Sequence, residues 1–295
     1  MASCKAPRRR STDQPHIEDR PAAPYPLRRP QTRTPALFLD RFLGRSKARA
    51  APPTTGGRRV YAVGDVHGRL DALQPLIRTI ADDLEAAPPS QPAMLVFLGD
   101  YVDRGPESRG VVDMILRMKG QAGLEVRTLK GNHEEALLQF LAQPTFGAAW
   151  LEHGGGATLA SYGVQPPASR TDPDAWAEVS AAFAEALPPE HLAFYRGLEL
   201  MLDLGDYAFV HAGVRPGVPW NQQAERDMLW IRQEFLQEKG PFGKVIVHGH
   251  TPMEEAQVLP HRIGVDTGCY ATGVLTAVRL EGEDQRLIQA RAERR

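Results

Sequence analysis

Residues 60–68 read VYAVGDVHG: an apolar run rich in β-branched and aromatic residues that stops on a glycine and then sets an aspartate and a histidine two positions apart. The run suits a buried strand, and the glycine lets the chain turn sharply off its end. The same grammar recurs four times. MLVFL (94–98) leads into GDYVDRG (99–105), LEVRTL (124–129) into GNHE (131–134), YAFV (207–210) into HAG (211–213), and KVIV (244–247) into HGHT (248–251). Between the early runs, LDALQPLIRTIADDLEAA (70–87) and SRGVVDMILRMKG (108–120) repeat apolar residues every three to four positions, as crossover helices packed on a sheet do. RIGV (262–265) adds one more short run. The expectation is a layered α/β domain over residues 59–295.

In α/β sheets, binding groups gather where loops leave the carboxyl ends of strands, and here five such ends carry polar clusters. A lone strand-end histidine is ordinarily structural, and an aspartate after glycine ordinarily makes a turn; five together are not explained that way. Asp65, His67, Asp100, Asn132, His211 and His250 form an oxygen and nitrogen donor set without thiolates, suited to Mn, Fe or Zn. Six donors are too many for one ion that must keep a position open. They suit two ions about 3.5–4 Å apart that share a carboxylate.

Composition limits the alternatives. With 42% hydrophobic residues the 295-residue chain can build a sizeable core. Its net charge of −1 conceals a division. Residues 1–59 carry 14 Lys and Arg against 4 Asp and Glu, leaving 21 against 32 for the remainder. An acidic folded part argues against a nucleic-acid surface, whereas the basic segment could touch an acidic partner or an anionic surface. Residues 1–58, dense in Pro and Arg, read as a disordered tail in which ALFLDRFLGR (36–45) forms at most a transient amphipathic helix. Two cysteines, Cys4 and Cys269, imply no disulfide framework. No run is long enough for a membrane span and no secretory signal is evident, while Asp13, Glu18 and Asp19 argue against a transit peptide, so a cytoplasmic protein is expected. FGAAWLEHGGGATLASYG (146–163) is expected to form a loop and a short helix over one edge of the site.

GDVHG, GDYVDRG, GNHE, HAG and GHT, in this order, resemble the phosphoprotein phosphatase family of dinuclear metallophosphoesterases, and most of all its bacterial and phage Ser/Thr protein phosphatases. The resemblance covers about residues 60–281. It implies a calcineurin-like metallophosphoesterase fold, a β-sandwich flanked by helical layers. It also implies that Asp65 and His67 hold one ion, that Asp100 bridges both, and that Asn132, His211 and His250 hold the second. Where the wider superfamily often reads GHxH, this chain has His250, Thr251 and Pro252, which fits the phosphoprotein phosphatase branch. His248 is read as structural.

A neutral amide at Asn132 lends an oxygen without adding negative charge beside Asp65 and Asp100, which keeps the site electrophilic toward phosphate. His133 then points from the same turn toward substrate and can protonate the departing oxygen, and the resemblance implies that Asp103 is the carboxylate that orients it. Arg104 in DRG is an expected phosphate clamp, and Arg232 is a second, implied by the resemblance of its Trp-x-Arg context to that of the bacterial and phage members. Asp266 either orients a metal-bound histidine or forms an ordinary turn. The expected reaction is hydrolysis of phosphoserine and phosphothreonine in a phosphoprotein, by direct attack of water activated between two divalent ions, with Mn the first choice. A symmetrical dinucleoside tetraphosphate hydrolase is the alternative on the same site; DRG and GNHE speak for the protein phosphatase. A catalytically dead binding module is a third reading, against which all the expected residues are present.

Overall fold

The structure, a computed structural model, describes residues 52–292. Most of the basic segment, including ALFLDRFLGR, lies outside the described residues.

In chain order the elements are β1 (Val60–Val63), α1 (Leu70–Ala86), β2 (Ala93–Phe97), α2 (Ser108–Lys119), β3 (Leu124–Thr128), α3 (Asn132–Ala142), α4 (Gly147–Glu152), α5 (Gly155–Ser161), α6 (Pro173–Ala186) and α7 (Pro189–Arg196). They continue with β4 (Met201–Leu204), β5 (Tyr207–Val210), α8 (Glu225–Trp230), α9 (Gln233–Leu236), β6 (Val245–His248), β7 (Gln257–Val258), β8 (Arg262–Gly264), α10 (Cys269–Thr272), β9 (Val274–Glu281) and β10 (Asp284–Arg291). Each apolar run read from the sequence is a strand, and both amphipathic stretches are helices. The hairpin β9–β10 is not marked by the sequence reading, because Thr276 and Arg279 interrupt the apolar run of β9 and β10 is largely polar.

Two five-stranded mixed sheets result, ordered β10-β9-β1-β2-β3 and β4-β5-β6-β8-β7. The central strands β1, β2 and β3 are mutually parallel, as are β5, β6 and β8. Alternation along β1 divides the core. Val60 and Ala62 join Met94, Val96, Phe209, Val247 and Ile263 between the sheets. Tyr61 and Val63 join Leu73, Leu76, Ile115 and Phe140 under the helices. The outer face of the second sheet, Ala208, Val210 and Ile246, is covered by Met228, Ile231 and Phe235. This is the expected sandwich between helical layers. Strands buried on both faces must be apolar at every position, which is why they read as continuous runs. Among the described residues no helix is long and apolar enough to cross a membrane.

Candidate metal centre

The loops leaving β1, β2, β3, β5 and β6 meet at one end of the sandwich. Their backbones are strained there: among the described residues the non-glycine residues with positive φ are His67, Asp100, Asp103, Arg104 and His250, every one a site residue expected from sequence. Such conformations cost about 1–3 kcal/mol each and persist only where the surroundings enforce them. Two glycines make the crowding possible. A Cβ on Gly131 would lie 2.1 Å from Asp100 Oδ1, and one on Gly249 would lie 2.1 Å from Asp65 Oδ1.

Hydrogen bonds settle which imidazole nitrogens carry lone pairs. His67 Nδ1 lies 2.8 Å from the Val102 carbonyl oxygen and His211 Nδ1 lies 2.8 Å from that of Leu98. A carbonyl oxygen only accepts, so both Nδ1 atoms carry hydrogen and both Nε2 atoms present lone pairs. His67 Nε2 thus faces Asp100 Oδ2 at 3.6 Å. His211 Nε2 faces Asn132 Oδ1 at 2.9 Å, Asp100 Oδ1 at 3.4 Å and His250 Nδ1 at 3.2 Å. Burial lowers the pKa of His67 far below its usual range and that of His211 to about 3, so neither relieves the contact by taking a second proton. Burial and neighbouring acids meanwhile raise Asp65 and Asp100 well above the carboxylate range. A proton on Asp100 can be shared with the histidines, but the Asn132 oxygen only accepts, and its 2.9 Å contact with the His211 Nε2 lone pair is one that a divalent cation satisfies. His67, Asp100 and His133, and separately Asp100, His211 and His250, bring ligand atoms within 4.8 Å of one another. Asp100 belongs to both groups. Asn132 joins the second, and Asp65 stands beside it, accepting from the His250 amide at 3.0 Å.

The profile of the calcineurin-like phosphoesterases matches residues 58–277. The chain belongs to the calcineurin-like phosphoesterase family. It is 26% identical over 235 residues to the bis(5'-nucleosyl)-tetraphosphatase PrpE [asymmetrical] of Geobacillus thermodenitrificans (strain NG80-2), covering 74% of this chain and 88% of that one. Against the protein of the same description from Anoxybacillus flavithermus (strain DSM 21510 / WK1) it is 27% identical over 237 residues, with the same coverage. A crystal structure provisionally described as a diadenosine tetraphosphatase superposes with a TM-score of 0.54 at 21% identity, over 81% of this chain and 98% of that one. A cold-active protein tyrosine phosphatase reaches 0.50 at 18% identity, over 79% of each chain. At such identities the structural likeness shows the fold alone.

Around the donor cluster of this calcineurin-like phosphoesterase lies a cavity of about 280 Å³. His133 lines it and turns Nδ1 toward Asp103 Oδ2 at 2.7 Å. Asp103 sits behind, fully buried, accepting also from Trp150 Nε1 at 2.8 Å and Thr158 Oγ1 at 2.6 Å. Burial pushes its carboxyl up to about 7 despite those donors, and burial pushes the His133 imidazole down to about 3. Arg104 and Arg232 line the same cavity, and neither hydrogen-bonds nor pairs with a carboxylate among the described residues. Instead, the Arg104 guanidinium stacks 4.4 Å above the Tyr270 ring.

Tyr270, His153 and Trp230 also line the cavity and were not expected as site residues, although Trp230 is the tryptophan of the Trp-x-Arg context that marked Arg232. Residues 146–163 border the site as expected, but as two short helices, α4 and α5, joined at His153–Gly154, where the expectation was a loop and one helix; the Gly154 carbonyl accepts from the Arg104 amide at 3.1 Å. Asp266 makes the turn that was one of its two readings: its Oδ1 accepts from the Gly268 amide two positions on at 2.9 Å. His248 is buried against Phe235, apart from the cluster. Glu134 of GNHE is fully buried, accepts from the amides of Asp100, Tyr101 and Gly131, and lines no part of the cavity.

Proposed function

We propose that this phosphoesterase is a metal-dependent hydrolase of bis(5'-nucleosyl) tetraphosphates. Asp65, His67, Asp100, Asn132, His211 and His250 would hold two divalent ions, with Asp100 common to both. Bound there, the ions would supply positive charge that activates water and offsets the charge of phosphate. The observation that carries the reading is the pair of guanidiniums, Arg104 and Arg232, facing the cluster without a carboxylate partner among the described residues. Fork-shaped donors left free in a site of buried acids suit a chain of phosphates. The curated relatives support this substrate over the phosphoprotein expected from sequence, and their description supports unequal cleavage in place of the symmetrical cleavage considered there.

In the reaction, the water oxygen bonds to phosphorus as a P–O–P bond breaks, and the bridging oxygen leaves with the larger fragment. Arg104 and Arg232 hold the non-bridging oxygens. His133 would give its Nε2 proton to the leaving oxygen while its Nδ1 takes up the proton that Asp103, raised to about 7, holds across the 2.7 Å contact. A phosphoserine or phosphothreonine protein is a second reading, favoured by that pair: an alkoxide needs a proton donor far more than a polyphosphate does.

Turnover of a bis(5'-nucleosyl) tetraphosphate and of phosphoserine peptides, side by side with Mn supplied, decides between the two. The dinucleotide is expected to be preferred and to yield a nucleoside triphosphate and a monophosphate. A large preference for phosphopeptides would overturn the proposal.

A further inference from the structure

A second cavity, of about 380 Å³, adjoins the first and shares Trp230 and Arg232 with it. Trp230 is 42% exposed, unusual for so large an apolar ring. It is nonetheless held in place: its indole N–H donates to Glu135 Oε2 at 2.6 Å, and the ring stands edge-on to His250 with centroids 6.3 Å apart. Lys130 Nζ, on the loop before α3, ties Glu225 Oε1 at the start of the same short helix at 2.8 Å. Two polar ties from residues 130–135 therefore fix α8 over the site while leaving the indole ring open. Arg226 lines the second cavity four positions before Trp230, on the same side of α8. Like Arg232, it makes no hydrogen bond or ion pair to a carboxylate among the described residues, whereas Arg215 nearby is taken up by Asp227 and Glu234.

From these features we propose that Trp230 is a stacking platform for a nucleobase, that Arg226 and Arg232 accompany the phosphate chain leading from it to the donor cluster, and that Glu135 positions the ring. An indole whose only polar atom is already bonded recognises a flat π-surface, and free guanidiniums beside it recognise phosphate. The 6.3 Å separation from His250 lets one ligand molecule occupy platform and cluster together. The proposal rests on the dinucleotide reading for its role in catalysis, but the platform itself is tested by binding alone.

The test is calorimetric binding of ADP and of inorganic pyrophosphate to the full-length protein with Mn supplied, for the wild type and for Trp230→Ala, Trp230→Phe and Glu135→Ala. The wild type is expected to bind ADP more tightly than pyrophosphate. Base stacking of ordinary strength predicts that Trp230→Ala reduces this ratio by about 5- to 100-fold. Trp230→Phe should retain most of it, and Glu135→Ala should lose part. A ratio unchanged in both alanine variants overturns the platform, even where the dinucleotide is hydrolysed well. Conversely, a ratio that collapses in Trp230→Ala, in a protein that does not hydrolyse the dinucleotide, supports the platform and removes the functional proposal.

Discussion

His133 and Asp103 bear on the question of what leaves. The 2.7 Å contact fixes the imidazole with Nδ1 toward the carboxylate, so its other nitrogen serves the cavity. A proton donor matters in proportion to the basicity of the departing oxygen. His133→Asn should therefore slow phosphopeptide turnover by about 10² to 10⁴-fold. Dinucleotide turnover should fall less, and nitrophenyl phosphate least, with metal content per chain unchanged. Asp103→Asn should add less than its own single effect to that variant, because it acts through the same ring. Equal losses on all three substrates, with chemistry rate-limiting, would assign His133 to holding phosphate.

Between elements, Glu134 ties the loop after β2 to the start of α3. Its carboxylate accepts from the amides of Asp100 and Gly131 at 2.9 Å and Tyr101 at 2.8 Å, holding Asp100 in its positive-φ conformation. In Glu134→Gln an NH₂ group would face those amides. The expected loss is on the order of 2–4 kcal/mol, given the cost of unsatisfied buried donors, with lower metal content by elemental analysis. Glu134→Asp, one methylene shorter, should lose stability without changing the ratio of dinucleotide to phosphopeptide turnover. A shifted ratio would show that the residue reads substrate after all.

Across the whole domain, the chain enters through residues that tie it down before β1. Thr54 exchanges hydrogen bonds with Asp206, its amide donating to Oδ2 at 2.8 Å and its carbonyl accepting from the Asp206 amide at 2.8 Å, and Thr55 is fully buried. A protein starting at Pro52 should keep full turnover, whereas one starting at Gly57 should be less stable by about 1–3 kcal/mol from lost hydrogen bonds, measured by denaturant unfolding. Inactivity of a folded, metal-loaded protein starting at Pro52 would make the basic segment part of the site. Asp83 provides a second global tie, since Tyr61, Arg59, Arg279 and Arg286 converge on it from β1, β9 and β10. Burial alone would raise its carboxyl, but these partners hold it below the usual range. A depressed folded value means that this stabilisation is complete above the unfolded pKa of about 3.9 and is lost as pH falls through the folded one. Asp83→Asn should therefore flatten the acid limb of the stability profile. An unchanged limb in the variant would remove Asp83 from that role.

Legible in the sequence were the strands that carry the site and the residues at their ends. A strand buried on both faces announces itself as an unbroken apolar run, and ligand residues that leave it through a glycine stand out against that run. The six metal-candidate residues needed nothing more, whereas Asp103 and Arg232 were singled out through the family resemblance. Not legible were contacts made across the fold. The tautomers of His67 and His211 depend on the carbonyls of Val102 and Leu98. That the Glu134 carboxylate is spent on backbone amides, and that Glu135 holds Trp230 at the surface, likewise rests on contacts made across the fold. Strand pattern and turn chemistry are short-range and recur along the chain, whereas a hydrogen bond between groups 34 residues apart exists only once β2 and β3 have paired, and one 113 residues apart only once the two sheets have closed on one another.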